Sequence, residues 1–246
     1  MAPAVRRFAV TSVEALDRAI DIAIVLVALV AVALGSYGVW DATLSTQGGE
    51  SDVWAEWKPA QQAPLSFEEF CQRNPDVVGW IQIPGTSIDY PVVQGCDNTT
   101  YIDRDAMGEF SLAGSIFLDY RNSRGFSDSV SIVYGHHMER GLMFGDLERF
   151  SDASFFDGHA TARLYDGSRW HDVELIAYAR CNAYDRSVYR AGSGAPLADA
   201  YLAAIECQAL HRRDVPVACT DRLLVCSTCA SGGTNDRHVV IGKILE

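Results

Sequence analysis

Leu223-Leu224-Val225-Cys226-Ser227-Thr228-Cys229, followed by Ala230-Ser231-Gly232-Gly233-Thr234-Asn235, then Asp236-Arg237 and the apolar run His238 to Leu245, is the stretch from which the fold is read. Two tracts of β-favouring residues flank a connection rich in turn formers. The first tract closes on a cysteine, and eight positions later an arginine opens the second. If the two strands are neighbours, thiol and guanidinium stand near the same end of a sheet. A thiolate nucleophile needs a base or a positive partner, and a developing oxyanion needs fixed donors. Cys229 and Arg237 supply two of these parts. The pair His136-His137, within Val133-Tyr134-Gly135-His136-His137, is the best-placed candidate for the imidazole. A cysteine at a strand end is more often an inert small hydrophobe, and an arginine at a strand start a solvated charge, so the assignment rests on the rest of the chain.

Outward from that stretch the pattern has period two. Val77–Ile83 and Ile88–Val93 read as strands joined by Pro84-Gly85-Thr86. Further strands are expected at 114–118, 129–134, 161–164, 173–179, 223–229 and 239–245. Ser66 with Glu69 has capping-box spacing, which predicts a helix to about Arg73, stopped by Asn74-Pro75-Asp76. Two more helices are expected, a short one near Met143–Phe150 and one over Pro196–Leu210 with proline in its first turn. Many short strands, scattered helices and no βαβ rhythm imply a mostly β, mostly antiparallel closed barrel with inserted helices.

The 246 residues leave room for one good-sized domain and an appendage. A net charge of −12 argues against nucleic acid or anionic lipid as a main partner. Ile22 to Trp40 carries no charge over nineteen residues, about what a helix needs to cross a bilayer. Arg6, Arg7 and Arg18 precede it, and Lys58 alone is basic in the twenty residues that follow. The positive-inside rule therefore puts 1–21 in the cytoplasm, 22–40 in the membrane and the rest outside. A cleaved signal peptide is the competing reading; the long first region with Glu14, Asp17 and Asp21 favours an uncleaved anchor. Residues 41–65 are polar and read as an extracellular stalk, with Trp54 and Trp57 either at the membrane surface or against the domain of residues 66–246. Seven cysteines are an odd number for an exported chain, so at least one thiol is free or intermolecular, and their pairing stays open.

The Cys229 stretch resembles the signature of the sortases, the cysteine transpeptidases of Gram-positive cell walls. Ser227-Thr228-Cys229 fits their Thr-Leu-x-Thr-Cys motif, and Val225 and Cys226 depart from it. Val78-Gly79-Trp80-Ile81-Gln82-Ile83-Pro84-Gly85-Thr86, Ile88-Asp89-Tyr90-Pro91-Val92, Asp97-Asn98-x-x-Tyr101, Gly114 through Asn122, and Tyr134-Gly135-His136 all resemble class B members. The likeness runs from about Phe67 to the C-terminus. It implies an eight-stranded sortase-type barrel, preceded by an N-terminal helix and the transmembrane helix. It also implies Cys229 as nucleophile, His136 as general acid/base, and Arg237 as the residue that holds the oxyanion and orients substrate. Asn98, Tyr134 and Ser227 become candidate substrate contacts, and Thr228, beside the nucleophile, is a candidate for peptide binding or for packing. Neighbours on a strand face opposite ways, so His137 is expected to point away from the site.

The function implied is cleavage of a C-terminal sorting motif after threonine, through a Cys229 thioester, with transfer to an amine and hydrolysis where none is present. Implied partners are surface proteins bearing a sorting signal, an amine acceptor (lipid-linked peptidoglycan precursor or pilin subunit) and the cell membrane. No cofactor, metal or nucleic acid is called for. The segments 103–112 and 179–195 are expected to wall the peptide pocket. The end at Glu246 within a strand reads as an enzyme and not as a sorted substrate. Two alternatives remain: a non-catalytic binding module on the same scaffold, and a thiol oxidoreductase using Cys226-x-x-Cys229, although such motifs open helices and this one closes a strand.

Overall fold

A computed structural model describes residues 18–38, 40, 49–59, 65–191, 197, 199–229 and 235–245, with the backbone alone at Leu65, Ser66 and Cys229. The chain divides into two units, Met1–Ser45 and Thr46–Glu246. In the first, α1 (Arg18–Gly38) is 21 residues long with a mean hydropathy of 2.6, and none of its apolar window is buried. At 1.5 Å per residue it spans about 30 Å, the thickness of a bilayer's hydrocarbon core. It meets the length and composition of a membrane span or a signal sequence, and it starts four residues before the charge-free run. Arg6 and Arg7 lie outside the described residues.

Among its described residues the second unit holds nine strands: β1 (Val77–Gln82), β2 (Asp89–Val93), β3 (Ile116–Leu118), β4 (Val130–Gly135), β5 (Thr161–Tyr165), β6 (Trp170–Asn182), β7 (Ala209–Arg212), β8 (Arg222–Cys229) and β9 (Asp236–Ile244). They pair in the order β5-β1-β2-β3-β4-β8-β9-β6-β7, and β5 also pairs with β6. That last pairing closes eight strands into a ring and leaves β7 as an outer addition. The barrel is mixed: β2–β3 and β4–β8 are parallel, and the remaining pairs antiparallel. Closure removes the unpaired edges an open sheet would present.

All eight strands expected from the sequence are present, and β7 is the ninth. The helix expected to Leu210 is α4 (Asp199–Gln208), and Ala209–Arg212 turns instead into β7. The physical reason lies in β6, thirteen residues long. Its first part pairs with β5 as far as Glu174, so the same edge is open further on, where Ala177–Ala179 takes β7. Pro196 lies outside the described residues. The helix after Ser66 is α2 (Leu65–Arg73), and the side-chain half of its capping box lies outside the description. Near Met143–Phe150 there is a 3₁₀ turn, Gly145–Ser151, continued by α3 (Ala153–Gly158). Asp152 caps α3 by accepting from the Phe155 amide at 2.9 Å.

Part of the segment expected as a stalk packs on the barrel. Ser51–Trp57 is a 3₁₀ helix in which Trp54 and Trp57 are buried. Their rings lie 5.9 and 5.2 Å from that of Phe70. Each buried indole contributes about 2 kcal/mol or more, which outweighs the polarity of its neighbours. The Lys58 ammonium reaches Asp89 at 2.5 Å.

Apolar residues fall into two clusters. One includes Trp80, Tyr90, Phe144, Leu224, Cys226 and Val240. The other lies beneath α4 and includes Ile132, Leu223, Val225, Val239 and Ile241 with Tyr201 and Ile205. Strands β4, β8 and β9 thus alternate between an inner and an outer face, and this alternation decides what can reach a substrate.

Candidate active site

The site is built on three adjacent strands. In the parallel ladder of β4 and β8, Tyr134 is level with Ser227 and Gly135 with Thr228. In the antiparallel ladder of β8 and β9, Thr228 is level with His238 and Cys229 with Arg237. His136 comes one residue after Gly135, so continuing the first ladder sets it level with Cys229. Residues level across a sheet share a face, with strands about 4.8 Å apart. His136, Cys229 and Arg237 therefore occupy consecutive positions in one row on the outer face, with Cys229 in the middle. Ser227 and Tyr134 belong to the same face, two residues back.

A cavity of about 290 Å³ opens on that face, lined by Asn98, Ile102, Phe117, Tyr134, His136, Ser227 and Arg237. Five of the residues selected from the sequence meet here. The described part of Cys229 is its backbone, which fixes its place in the row. The sixth side chain, Thr228, is not brought in: it is fully buried on the inner face, and its Oγ1 has no hydrogen-bond partner among the described residues.

His136 is anchored by a 2.7 Å hydrogen bond from Nε2 to the Ile102 carbonyl. A carbonyl only accepts, so Nε2 carries the proton and Nδ1 is the nitrogen free to exchange one. Gly114 permits the approach. Its φ is +61°, and a Cβ there would lie 2.4 Å from the Ile102 oxygen and 3.0 Å from the imidazole. His137 turns to the inner face as the alternation requires. It pairs with Glu148 at 2.9 Å and stacks on His238 at 6.0 Å, and His238 in turn meets the Tyr178 hydroxyl at 2.6 Å. Burial holds the His238 imidazole below its ordinary pKa.

Beneath the cavity lies Asp119, fully buried just past β3. It accepts from Asn98 Nδ2 at 3.0 Å, from the Tyr134 hydroxyl at 3.0 Å, and from Arg121 Nε and Nη2 at 2.9 and 2.8 Å. Burial opposes its ionisation, yet the Arg121 and Asn98 bonds hold its carboxyl below the usual range. The Tyr134 phenol is pushed well up, first by burial and then by the Asp119 carboxylate, and so stays a donor. Asn98 and Tyr134 are thus held in place by one carboxylate. On the other side, the Tyr189 hydroxyl lies 3.0 Å from Ser227 Oγ, and burial raises this phenol to about 12.

Asp119 and Tyr189 were not singled out by sequence reasoning. Asp119 had a signal, a carboxylate two residues before an arginine within a turn-forming tract. Tyr189 had none beyond lying in 179–195, one of the two expected walls. No described residue of either segment, 103–112 or 179–195, lines the cavity itself; Ile102, just before the first, does, and Tyr189 of the second reaches it only through Ser227. Cys226 lies on the inner face, and burial pushes its thiol up to about 12. A dithiol cycle needs an ionisable, reachable partner, so the redox reading of Cys226-x-x-Cys229 loses its support.

No protein-family model matches the chain. Among curated proteins it is 34% identical to sortase B of Listeria monocytogenes over 174 residues, which cover 70% of this chain and 71% of that protein. Among solved structures it superposes on a class B sortase of Streptococcus pyogenes involved in pilus biogenesis, with a TM-score of 0.68 and 33% identity over 75% of this chain and all of the other. A Staphylococcus aureus sortase B–substrate complex matches with a TM-score of 0.68 and 27% identity, covering 85% of this chain and 97% of that one.

Proposed function

The chain belongs to the class B sortases, and on that premise we propose that it cleaves a C-terminal sorting signal after threonine and transfers the product to an amine, using Cys229, His136 and Arg237. The observation that carries the assignment is the row across β4, β8 and β9, in which Cys229 is level with Arg237 and flanked by the His136 position. In this reading the Cys229 thiolate attacks the threonyl carbonyl carbon, and the carbonyl electron pair moves to oxygen. Arg237 faces that charge, and Arg237 and His136 both favour the anionic sulfur over the thiol. The tetrahedral intermediate collapses to a thioester as protonated His136 gives its proton to the departing amine. An acceptor amine then attacks the thioester carbon and loses a proton to His136, and the thiolate leaves.

Asn98, Tyr134 and Ser227 contact the sorting peptide in this reading, and Thr228 is left to packing. The Asp119 network keeps Asn98 and Tyr134 in register with the reacting bond, where a displacement of an ångström is costly. Helix α1 anchors the enzyme with the barrel outside the cell, facing surface proteins that bear sorting signals. The acceptor is the peptide of a lipid-linked wall precursor or a lysine of a pilin subunit, and water replaces it slowly where neither is present. A panel of Asn-Pro-x-Thr and Leu-Pro-x-Thr-Gly peptides, followed by mass with and without an added amine, tests the assignment. Cleavage after threonine with capture of the amine is expected. Binding of peptide without any product would leave only the non-catalytic module.

A further inference from the structure

Beside the reaction cavity, and sharing Tyr134 and Arg237 with it, lies a second groove of about 340 Å³. Its walls bring together three guanidinium groups, Arg121, Arg186 and Arg237, and three phenols, Tyr134, Tyr184 and Tyr189. This concentration of positive charge stands out in a chain of net charge −12. The one carboxylate in the lining among the described residues, Asp185, is already occupied. It accepts from the Ser187 amide and hydroxyl on one oxygen and from Gln208 Nε2 on the other. Arg121 spends Nε and Nη2 on Asp119, which leaves part of its five-donor fork for another acceptor. Arg186 and Tyr184 are exposed at the rim, Tyr184 by 78%. Arginine and tyrosine are the residues that most often anchor a peptide at a protein surface.

The size of the first cavity points the same way. At about 290 Å³ it stands at the lower limit of small-ligand sites, so a sorting peptide and an amine acceptor must use adjoining surface. We propose that the arginine–tyrosine groove is a carboxylate subsite, filled during turnover by an acidic group of one substrate: a side chain flanking the sorting motif, or a carboxylate of the amine acceptor. Arg186 supplies the selectivity, because it faces the groove without belonging to the row that carries the chemistry. The choice of substrates rests on the transpeptidase reading; the anion site itself does not.

Two matched sets separate the sources. Sorting peptides with Glu or Gln next to the motif form one arm. Triglycine and triglycinamide as acceptors form the other. In one arm the acidic member is expected to show a kcat/KM higher by about fivefold, the scale of an exposed charge-assisted pair. Arg186→Ala should erase that preference and Arg186→Glu reverse it, while turnover of the neutral member stays unchanged. Equal rates in both arms, or a preference indifferent to residue 186, would overturn the proposal. A titration independent of turnover accompanies this. Glutarate should shift the ring resonances of Tyr134 and Tyr189 saturably in the unmodified protein and not in Arg186→Glu. No shift in the unmodified protein also overturns the proposal. Should no peptide be cleaved at all, the transpeptidase reading fails, and the glutarate titration still decides the groove.

Discussion

Two regions meet at the active site by different means: the wall strands β4, β8 and β9, and the segment 183–191 that follows β6. In the wall β8 is laddered on both sides from Leu223 to Thr228, with His136 one residue past the end of β4, and a slip of one residue would exchange the faces. Thus neighbours such as His136 and His137 have opposite surroundings, as do Ser227 and Thr228. The 183–191 segment is tied down at a few points only. Asp185 is tied to Ser187 and Gln208, Val188 is buried with its carbonyl accepting from Tyr201, and Tyr189 reaches Ser227. A wall holds reacting groups to within fractions of an ångström, whereas a tethered segment can change residues without disturbing the ladder. Under the proposed function and the groove proposal together, chemistry falls to the wall and part of the selection to the segment.

The largest test of that division is made on the wall. Cys229→Ala should abolish transfer, and Arg237→Ala should lower kcat by roughly 10²–10³, with the thermal unfolding midpoint nearly unchanged. Retention of kcat in Arg237→Ala would remove the wall from the chemistry. His136→Ala should cost roughly 10²–10⁴ and His137→Ala less than about tenfold. Comparable losses at both would mean that the alternation does not sort the two imidazoles.

Asp119→Ala should act on stability as well as rate, by about 3 kcal/mol in chemical denaturation, because it strands the buried partners of one carboxylate. The pH dependence follows from the depressed Asp119 pKa, below its usual 3.8. Such a group contributes fully above its unfolded value and loses that contribution as pH falls through the folded one. Stability should therefore drop below about pH 4, and Asp119→Asn, already weaker at neutral pH, should show a shallower drop. An unchanged acid limb would remove Asp119 from the account.

On the segment, Tyr189→Phe loses one bond to Ser227 and should raise KM about threefold with kcat kept. A fall in kcat instead would give the segment a part in the chemistry. The smallest effect is expected at Thr228, where Thr228→Val removes a buried hydroxyl without a partner among the described residues. It should stabilise the barrel by about 1 kcal/mol and leave peptide turnover within about twofold. A loss of peptide affinity would return Thr228 to substrate binding, as the sequence motif suggested.

The same division explains what could be read from the chain beforehand. Strands with period-two burial announce themselves, and all eight barrel strands were legible within a few residues. β7 was not, because Ala209–Arg212 continues a helical pattern and becomes a strand only where β6 leaves its edge open. Trp54 and Trp57 sit among polar residues, and nothing local says that Phe70 awaits them. At the site, His136, Ser227 and Arg237 were legible through motif and alternation. Thr228, open to packing or peptide binding from its place beside the nucleophile, is sent inward by strand parity. Tyr189 had no pattern at all, since its place is set by tertiary tethers that leave no periodicity in the sequence.

The central claim is that His136, Cys229 and Arg237 act on one peptide carbonyl. It is tested most directly by incubating the protein with a cleavable sorting peptide and no amine, trapping in acid, and mapping the adduct by mass spectrometry. The account predicts an acyl group ending in threonine on Cys229 alone, absent in Cys229→Ala and released by an added amine. An adduct on another of the seven cysteines, or cleavage that persists in Cys229→Ala, would contradict it.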